Sequence, residues 1–288
     1  MAEARVAAQA KVNLRLKVLA READGFHSLE TIFARIDLAD DVVVRVGGSG
    51  QSIDCKGAEL GPVEHNLAFR AALAYHAATG WPETFSIELT KRIPVGGGLG
   101  GGSADAGAVL RALDALAPHP LGPRLITLAA ELGSDVPFMT LESPYALAWS
   151  RGERMMPLPT LPWHTIVIIT PTPGIATADA YSWVAESRLG FLPSAFIIES
   201  ASVRDWHQMA SIASNDFDGV VFARFPDLGR AAASLRQHGA MISILAGSGS
   251  SVIGVFDQQA AAEKALADSP IPGILSRTST SVAPVAVS

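Results

Sequence analysis

The 288-residue sequence predicts an α+β protein built in two parts, and three observations carry that expectation. Strand-like alternation and helix-like periodicity both occur in the first half of the chain. A glycine run, Gly96-Gly97-Gly98-Leu99-Gly100-Gly101-Gly102, separates an alternating segment from a helical one. A proline-rich seam, Pro157-Leu158-Pro159-Thr160-Leu161-Pro162, is followed by a fresh series of strand and helix patterns. The length suits two domains of ordinary size. The seam divides them into an N-terminal domain over 1–157 and a C-terminal domain over 163–288.

Each element follows from its own pattern. Val12, Leu14, Leu16 and Val18 alternate with Asn13, Arg15 and Lys17, as in a half-buried strand, and Lys11 stands at its entrance on the polar phase. A turn at Asp24-Gly25 leads to a second apolar run near Leu29. Val42-Val43-Val44 and Phe85 to Leu89 read as further strands. Asn66 suits the N-cap of a helix from Leu67 to His76. Ala106, Val109, Leu110, Leu113 and Leu116 keep helical spacing. A second helical stretch, Arg124 to Leu132, stops at Gly133. Beyond the seam come a strand at Thr165 to Ile169 and helices near Thr177 to Glu186 and Asp227 to His238. Met241 to Leu245 and Val252 to Phe256 read as two strands around a tight turn, Ala246-Gly247-Ser248-Gly249-Ser250-Ser251. A last helix spans Gln258 to Ala267, and the Ser/Thr-rich tail from Arg277 is expected to fray. No internal repeat is present.

Composition narrows the class. Apolar residues make up 49% of the chain, enough for a real core. The net charge of −6 argues against a nucleic-acid partner, which a basic face would announce. A single cysteine, Cys55, rules out an internal disulfide framework and suits a reducing cytoplasm. The first residues lack the apolar run of a signal peptide, and no apolar window is long enough to predict a membrane span. There is no CxxC pair, HExxH helix or G-x-S-x-G elbow, so zinc- and serine-hydrolase chemistry has no support.

The glycine run is the most telling feature. Glycine loses the most backbone entropy on ordering, so six in seven positions imply that the backbone itself must approach something closely. A glycine loop that opens a helix offers free N–H groups and the positive end of the helix dipole, which suits a phosphate. A flexible linker would have polar flanks, whereas this run lies between Phe85-Ser86-Ile87-Glu88-Leu89 and an apolar helical face. Gly96, Gly98 and Gly101 fit G-x-G-x-x-G. A dinucleotide fold, however, needs a strand after the helix, and a second helical stretch follows instead. A Walker A loop fails because no Lys-Ser or Lys-Thr follows the glycines.

Three separated elements then fit one picture: Lys11 on an early strand, the central glycine loop, and the late Gly247-Ser248-Gly249 turn. Together they resemble the GHMP small-molecule kinase superfamily, named for galactokinase, homoserine kinase, mevalonate kinase and phosphomevalonate kinase. Ala10-Lys11-Val12-Asn13-Leu14, Asp24-Gly25-Phe26-His27-Ser28-Leu29-Glu30-Thr31 and Leu132-Gly133-Ser134-Asp135-Val136-Pro137-Phe138 resemble in particular the branch acting on cytidine-diphosphate-linked methylerythritol. The resemblance implies a ribosomal-S5-like N-terminal domain and a ferredoxin-like C-terminal domain, with the active site in the cleft between. It implies ATP- and Mg2+-dependent phosphorylation of the 2-hydroxyl of that small-molecule substrate, in the non-mevalonate route to isoprenoid precursors. A monomer or weak homodimer with no nucleic-acid or membrane partner goes with it. The alternatives are another kinase of the superfamily, of homoserine or mevalonate type, or a non-catalytic nucleotide-binding relative.

The same resemblance assigns residues. Pro94, Val95, Gly96, Gly97, Gly98, Leu99, Gly100, Gly101, Gly102, Ser103 and Ala104 would cradle ATP. Ser103 would either ligate magnesium or cap the following helix. Asp135 would be the base, with a helix N-cap as its ordinary alternative. Lys11 would keep Asp135 ionised and neutralise the reacting oxygen, the alternative being a solvated strand-end lysine. Asn13, Gly247, Ser248 and Gly249 would meet the substrate. Phe26 would stack on the cytosine and His27 would hydrogen-bond it; a core aromatic and a turn histidine are the plainer readings. Two departures stand out: Phe26 replaces the family's usual tyrosine, and Ala246 replaces a hydroxyl residue before Gly-Ser-Gly.

Overall fold

A computed structural model describes the chain except for residues 1, 22–26, 60, 172–173 and 188–197 and the side chains of 20, 21 and 27. The chain opens with two long strands, β1 (Ala2–Arg21) and β2 (His27–Val46), then β3 (Gln51–Lys56), α1 (Leu67–Thr79) and β4 (Phe85–Thr90). The glycine loop leads into α2 (Gly101–Leu116), α3 (Leu125–Leu132) and the short α4 (Val136–Thr140), followed by β5 (Tyr145–Ser150) and β6 (Arg154–Pro157). After the seam come β7 (Thr165–Ile169), α5 (Thr177–Ser187), α6 (Trp206–Ile212), β8 (Ser214–Asn215), α7 (Asp218–Arg224) and α8 (Pro226–Gln237). The chain closes with β9 (Ile242–Leu245), β10 (Val252–Phe256), α9 (Gln259–Ala267), β11 (Gly273–Arg277) and β12 (Ala286–Val287).

Two sheets result. The first runs β12-β1-β2-β4-β3, with β5 and β6 continuing from β2 and β8 joining β1 in parallel. The second runs β11-β7-β10-β9, all antiparallel. With helices between its first and second strands and between its third and fourth, the second sheet has the βαββαβ order of a ferredoxin-like unit. The expected strand–turn–strand is present, with Val252 opposite Leu245.

β1 is longer than its apolar alternation suggested, because small residues extend the pattern. Ala4, Val6, Ala8 and Ala10 continue the buried phase of Val12, Leu14, Leu16 and Val18. The other phase is covered as well: Gln9, Lys11, Asn13 and Arg15 are all buried. The core of the first sheet gathers Leu14, Ile32, Val44, Ile87, Val109 and Leu113. Leu16, Val18 and Leu29, at one end of the same strands, pack instead with Val167, Leu235 and Phe256 of the second sheet. The tail does not fray. β12 pairs with β1, Thr278 and Ser279 are buried, and Gln9 binds Ser279 Oγ at 2.8 Å and the Ala283 N–H at 2.8 Å.

Candidate active site

The glycine loop is a seam between the two sheets. Its Leu99 carbonyl accepts the Lys11 N–H at 3.0 Å, and its Gly97 carbonyl accepts the Ser251 N–H at 3.2 Å. The glycines are required by contact as well as by backbone angle. At Gly98, φ is +77° and a Cβ would lie 2.0 Å from the Ala246 carbonyl oxygen. At Gly100, φ is +71° and a Cβ would lie 2.7 Å from Met139 Cε and 3.0 Å from Lys11 Cε. Gly98 thus lets the loop meet the turn before Gly247, and Gly100 lets α2 begin against Lys11. At Gly96, by contrast, none of the described residues lies within 4 Å of a Cβ position.

Asp135 precedes α4 but makes no capping hydrogen bond. Its Oδ2 lies 3.2 Å from Lys11 Nζ, which also donates to Asn13 Oδ1 at 2.8 Å. The Asn13 amide donates to Thr31 Oγ1 at 2.8 Å, and that hydroxyl donates to the Arg15 carbonyl at 2.7 Å. Lys11 is therefore neither solvated nor free to turn: its side chain is 5% exposed and its direction is set by β1 and Asn13. Ser103 lies in the first turn of α2, whose N-cap, Gly100, has no side-chain bond, so the capping alternative is not realised. Asn66 does cap α1, accepting from Ala68 N and Phe69 N at 2.9 and 3.3 Å.

These residues line one cavity of about 1300 Å³ that also reaches α5 and the late turn. Lys11, Asn13, Asp135, Gly247, Ser248 and the loop from Pro94 to Ser103 are on its wall. Ala104 and Gly249 are not; Ala104 is buried in the core of the first sheet. Phe26 and the side chain of His27 lie outside the described residues.

The cavity holds groups the motifs did not single out. Lys91 Nζ bonds both Asp40 and Asp105, the latter at 2.6 Å, and all three side chains are almost fully buried. Asp40 also accepts the Ile93 N–H at 2.8 Å, which ties the cluster to the strand that enters the loop. Burial pushes the Asp105 carboxyl up against the opposing charge of Lys91. Asp105 Oδ1 has no hydrogen-bond partner among the described residues, and Lys91 and Asp105 line the cavity. Lys91 stands 51 residues from Asp40 and 14 from Asp105, so no sequence motif joins the three. Tyr181 of α5 also lines the cavity; burial and then the charge of Asp135 push its phenol up to about 12. It joins the site through folding across the two sheets, and no local pattern announces it.

Fold and site define a class, the GHMP kinases. The family described as "GHMP kinases N terminal domain" matches residues 66–143, and "GHMP kinases C terminal" matches 197–268. A homoserine kinase structure from Cytophaga hutchinsonii shares the fold at 19% identity, with a TM-score of 0.73 over 100% of this chain and 97% of that one. Nearer similarity is more specific. A 4-diphosphocytidyl-2-C-methyl-D-erythritol kinase of Citrifermentans bemidjiense is 36% identical over 93% of this chain and 95% of its own length. One of Solidesulfovibrio magneticus is 39% identical over 89% and 90%. A crystal structure of 4-(cytidine 5'-diphospho)-2C-methyl-D-erythritol kinase superposes with a TM-score of 0.80 at 35% identity, covering 96% of this chain and 99% of that one. The chain belongs to the 4-diphosphocytidyl-2-C-methyl-D-erythritol kinase family.

Proposed function

We propose that this chain transfers the γ-phosphoryl group of ATP to the 2-hydroxyl of 4-diphosphocytidyl-2-C-methyl-D-erythritol. The observation that carries the reading is the Lys11–Asp135 pair, 3.2 Å apart on the wall of the cavity that the glycine loop borders. Phosphoryl transfer asks a protein for positioning and charge stabilisation more than for covalent chemistry. The first turn of α2 supplies N–H groups with no intrahelical acceptor, and the loop lets phosphate oxygens approach them. The substrate oxygen attacks the γ-phosphorus, the bond to the β-phosphate oxygen breaks, and ADP leaves with that electron pair. The hydroxyl proton passes to Asp135. Lys11, 3.2 Å from Asp135 Oδ2, faces the charge gathering on the reacting oxygens.

Magnesium fits the donors at hand. No group of three or more His, Cys, Asp or Glu side chains suited to a metal occurs among the described residues. Magnesium, however, is commonly held by substrate phosphates, water and one or two protein oxygens. Ser103, on the cavity wall, would supply such an oxygen. The ion would neutralise phosphate charge.

The reading is tested by a substrate panel: 4-diphosphocytidyl-2-C-methyl-D-erythritol, methylerythritol phosphate lacking cytidine, homoserine, mevalonate and galactose. The first is expected to be phosphorylated by far the fastest. Equal transfer to the second would remove Phe26 and His27 as readers of cytosine. Asp135→Asn is expected to lower kcat by roughly 10²–10⁴-fold with nucleotide affinity unchanged; a near-normal kcat would remove Asp135 from the chemistry.

A further inference from the structure

One buried charge takes no part in the site as described. Arg35 is 2% exposed and makes no ion pair among the described residues. Its Nη2 donates to the carbonyls of Phe138 and Leu141 at 2.7 and 3.0 Å, and its Nε to the Ser143 carbonyl at 3.4 Å. Burial, and secondarily the charge of Arg111, pushes its guanidinium down to about 9. A buried guanidinium that meets carbonyls and a ring but, among the described residues, no carboxylate is costly to keep.

Its carbonyl partners give a reason for that placement. Phe138 lies in α4 and Leu141 directly follows it, and Asp135 is the residue from which α4 starts. Three residues of helix span only about 4.5 Å, so a clamp on Phe138 acts close to Asp135. The side chain of Asp135 makes no capping bond of its own. Where its carboxylate sits is therefore decided by how α4 is seated.

Aromatic rings connect the same two places. Lys11 Nζ lies 5.6 Å from the centre of the Phe33 ring. Phe33 stacks on Phe138 at 4.8 Å and 18°. The Arg35 guanidinium covers the far ring at 5.1 Å. Cross-strand pairing explains the alignment: Lys11 stands opposite Arg35 and Asn13 opposite Phe33, so all four side chains leave one face of the sheet. On the other flank α4 is pressed against α2, where a Cβ at Gly107 would lie 2.7 Å from the Met139 backbone.

We propose that Arg35 is a positioning residue for phosphoryl transfer: by clamping the carbonyl end of α4 and closing the Lys11–Phe33–Phe138–Arg35 column, it sets the approach of Asp135 to Lys11. The inference rests on the assignment of Asp135 and Lys11 made above. It assigns Arg35 no contact with substrate.

The test is a double-mutant cycle on the full chain with ATP and 4-diphosphocytidyl-2-C-methyl-D-erythritol. It compares Arg35→Met, Arg35→Lys, Asp135→Asn and the two combinations at a temperature where circular dichroism shows all to be folded. Arg35→Met is expected to lower kcat by about 10- to 100-fold, the scale of a small misplacement of a catalytic group. KM for ATP should stay within about twofold. Arg35→Lys, which keeps the charge and loses the fork, should fall between. In the Asp135→Asn background the Arg35 substitutions should have little further effect, because groups acting as a unit are not additive. If Asp135→Asn alone leaves kcat intact, the assignment of the base fails. If Asp135→Asn is impaired but Arg35→Met lowers kcat equally in both backgrounds, or not at all, the positioning role fails. Failure of both Arg35 variants to fold would likewise overturn it, since Arg35 would then be a structural residue only.

Discussion

Placing a methyl group at Gly98 tests whether the two sheets meet through the glycine loop. Gly98→Ala puts a Cβ 2.0 Å from the Ala246 carbonyl oxygen and 2.9 Å from the Gly249 carbonyl oxygen, at a φ of +77°. The first distance is about 1.5 Å inside ordinary contact. Both neighbours are backbone, so relief requires the loop or the turn to move. The left-handed backbone costs about 1–2 kcal/mol for a residue with a Cβ. Overpacking adds about 1–3 kcal/mol. The sum is a loss of about 2–5 kcal/mol. Gly96→Ala is the control, with a φ of +74° and none of the described residues within 4 Å of its Cβ; it should lose only the backbone part, about 1–2 kcal/mol. Gly102→Ala sits in α2 with Leu67 Cδ1 at 3.7 Å and should gain about 0.5–1 kcal/mol. Urea unfolding of the three variants, read at the midpoint with a common slope, gives the order directly. If Gly98→Ala loses no more than Gly96→Ala, the loop and the turn are not in contact in solution.

Asp218 accepts the Leu245 N–H at 2.9 Å, and burial pushes its carboxyl up to about 7. The folded chain then holds a proton that the unfolded chain has already released, so this group lowers stability as pH climbs from about 4 to about 7. Asp218→Asn should remove that part of the slope, at most about 4 kcal/mol; urea midpoints at pH 5 and pH 8 that shift as in the wild type would contradict it. Asn215 donates to the Leu245 and Gly247 carbonyls at 2.9 and 2.7 Å. Asn215→Leu should destabilise by about 2–5 kcal/mol through two buried carbonyls left unpaired, and an unchanged urea midpoint would show that water replaces the amide. Asn66→Ala should lower stability by about 1 kcal/mol and Asn66→Ser should restore most of it, as measured by thermal melting; equal melting of the two would deny the cap.

Much of this architecture was legible, and the boundary of what was not has a physical basis. Thr165–Ile169 and Val252–Phe256 are continuous apolar strands whose limits the sequence marks itself. The helix of Ala106, Val109 and Leu110 follows from spacing alone. Lys11 and Asp135 came from motifs, and the fold brings them together. What escaped depends on partners distant in the chain. β12 has no apolar pattern and is ordered because β1 offers it an edge. β8 is two residues long and exists by pairing with Arg15 and Leu16. Lys91 meets Asp40 from 51 residues away and Asp105 from 14, and the carbonyls that Arg35 binds lie more than 100 residues from it. Local periodicity records which face is buried, whereas it does not record what that face is buried against.

The return of the tail to the first sheet brings the two ends of the second sheet's chain together. The backbone leaves the first sheet after Pro157, builds the second sheet, and comes back by Thr278, whose N–H bonds the His164 carbonyl at 3.0 Å beside the outward crossing. The outgoing and returning stretches of chain are thus neighbours, beside β7 and β11, which pair with one another. The wall of the cavity formed by Gly247 and Ser248 is at the opposite end of the second sheet's strands, where β9 and β10 meet. The chain therefore enters and leaves the second sheet at one end of its strands and presents the Gly-Ser-Gly turn to the cavity at the other, so the tail's anchoring and the cavity wall are served by opposite ends of the same four strands.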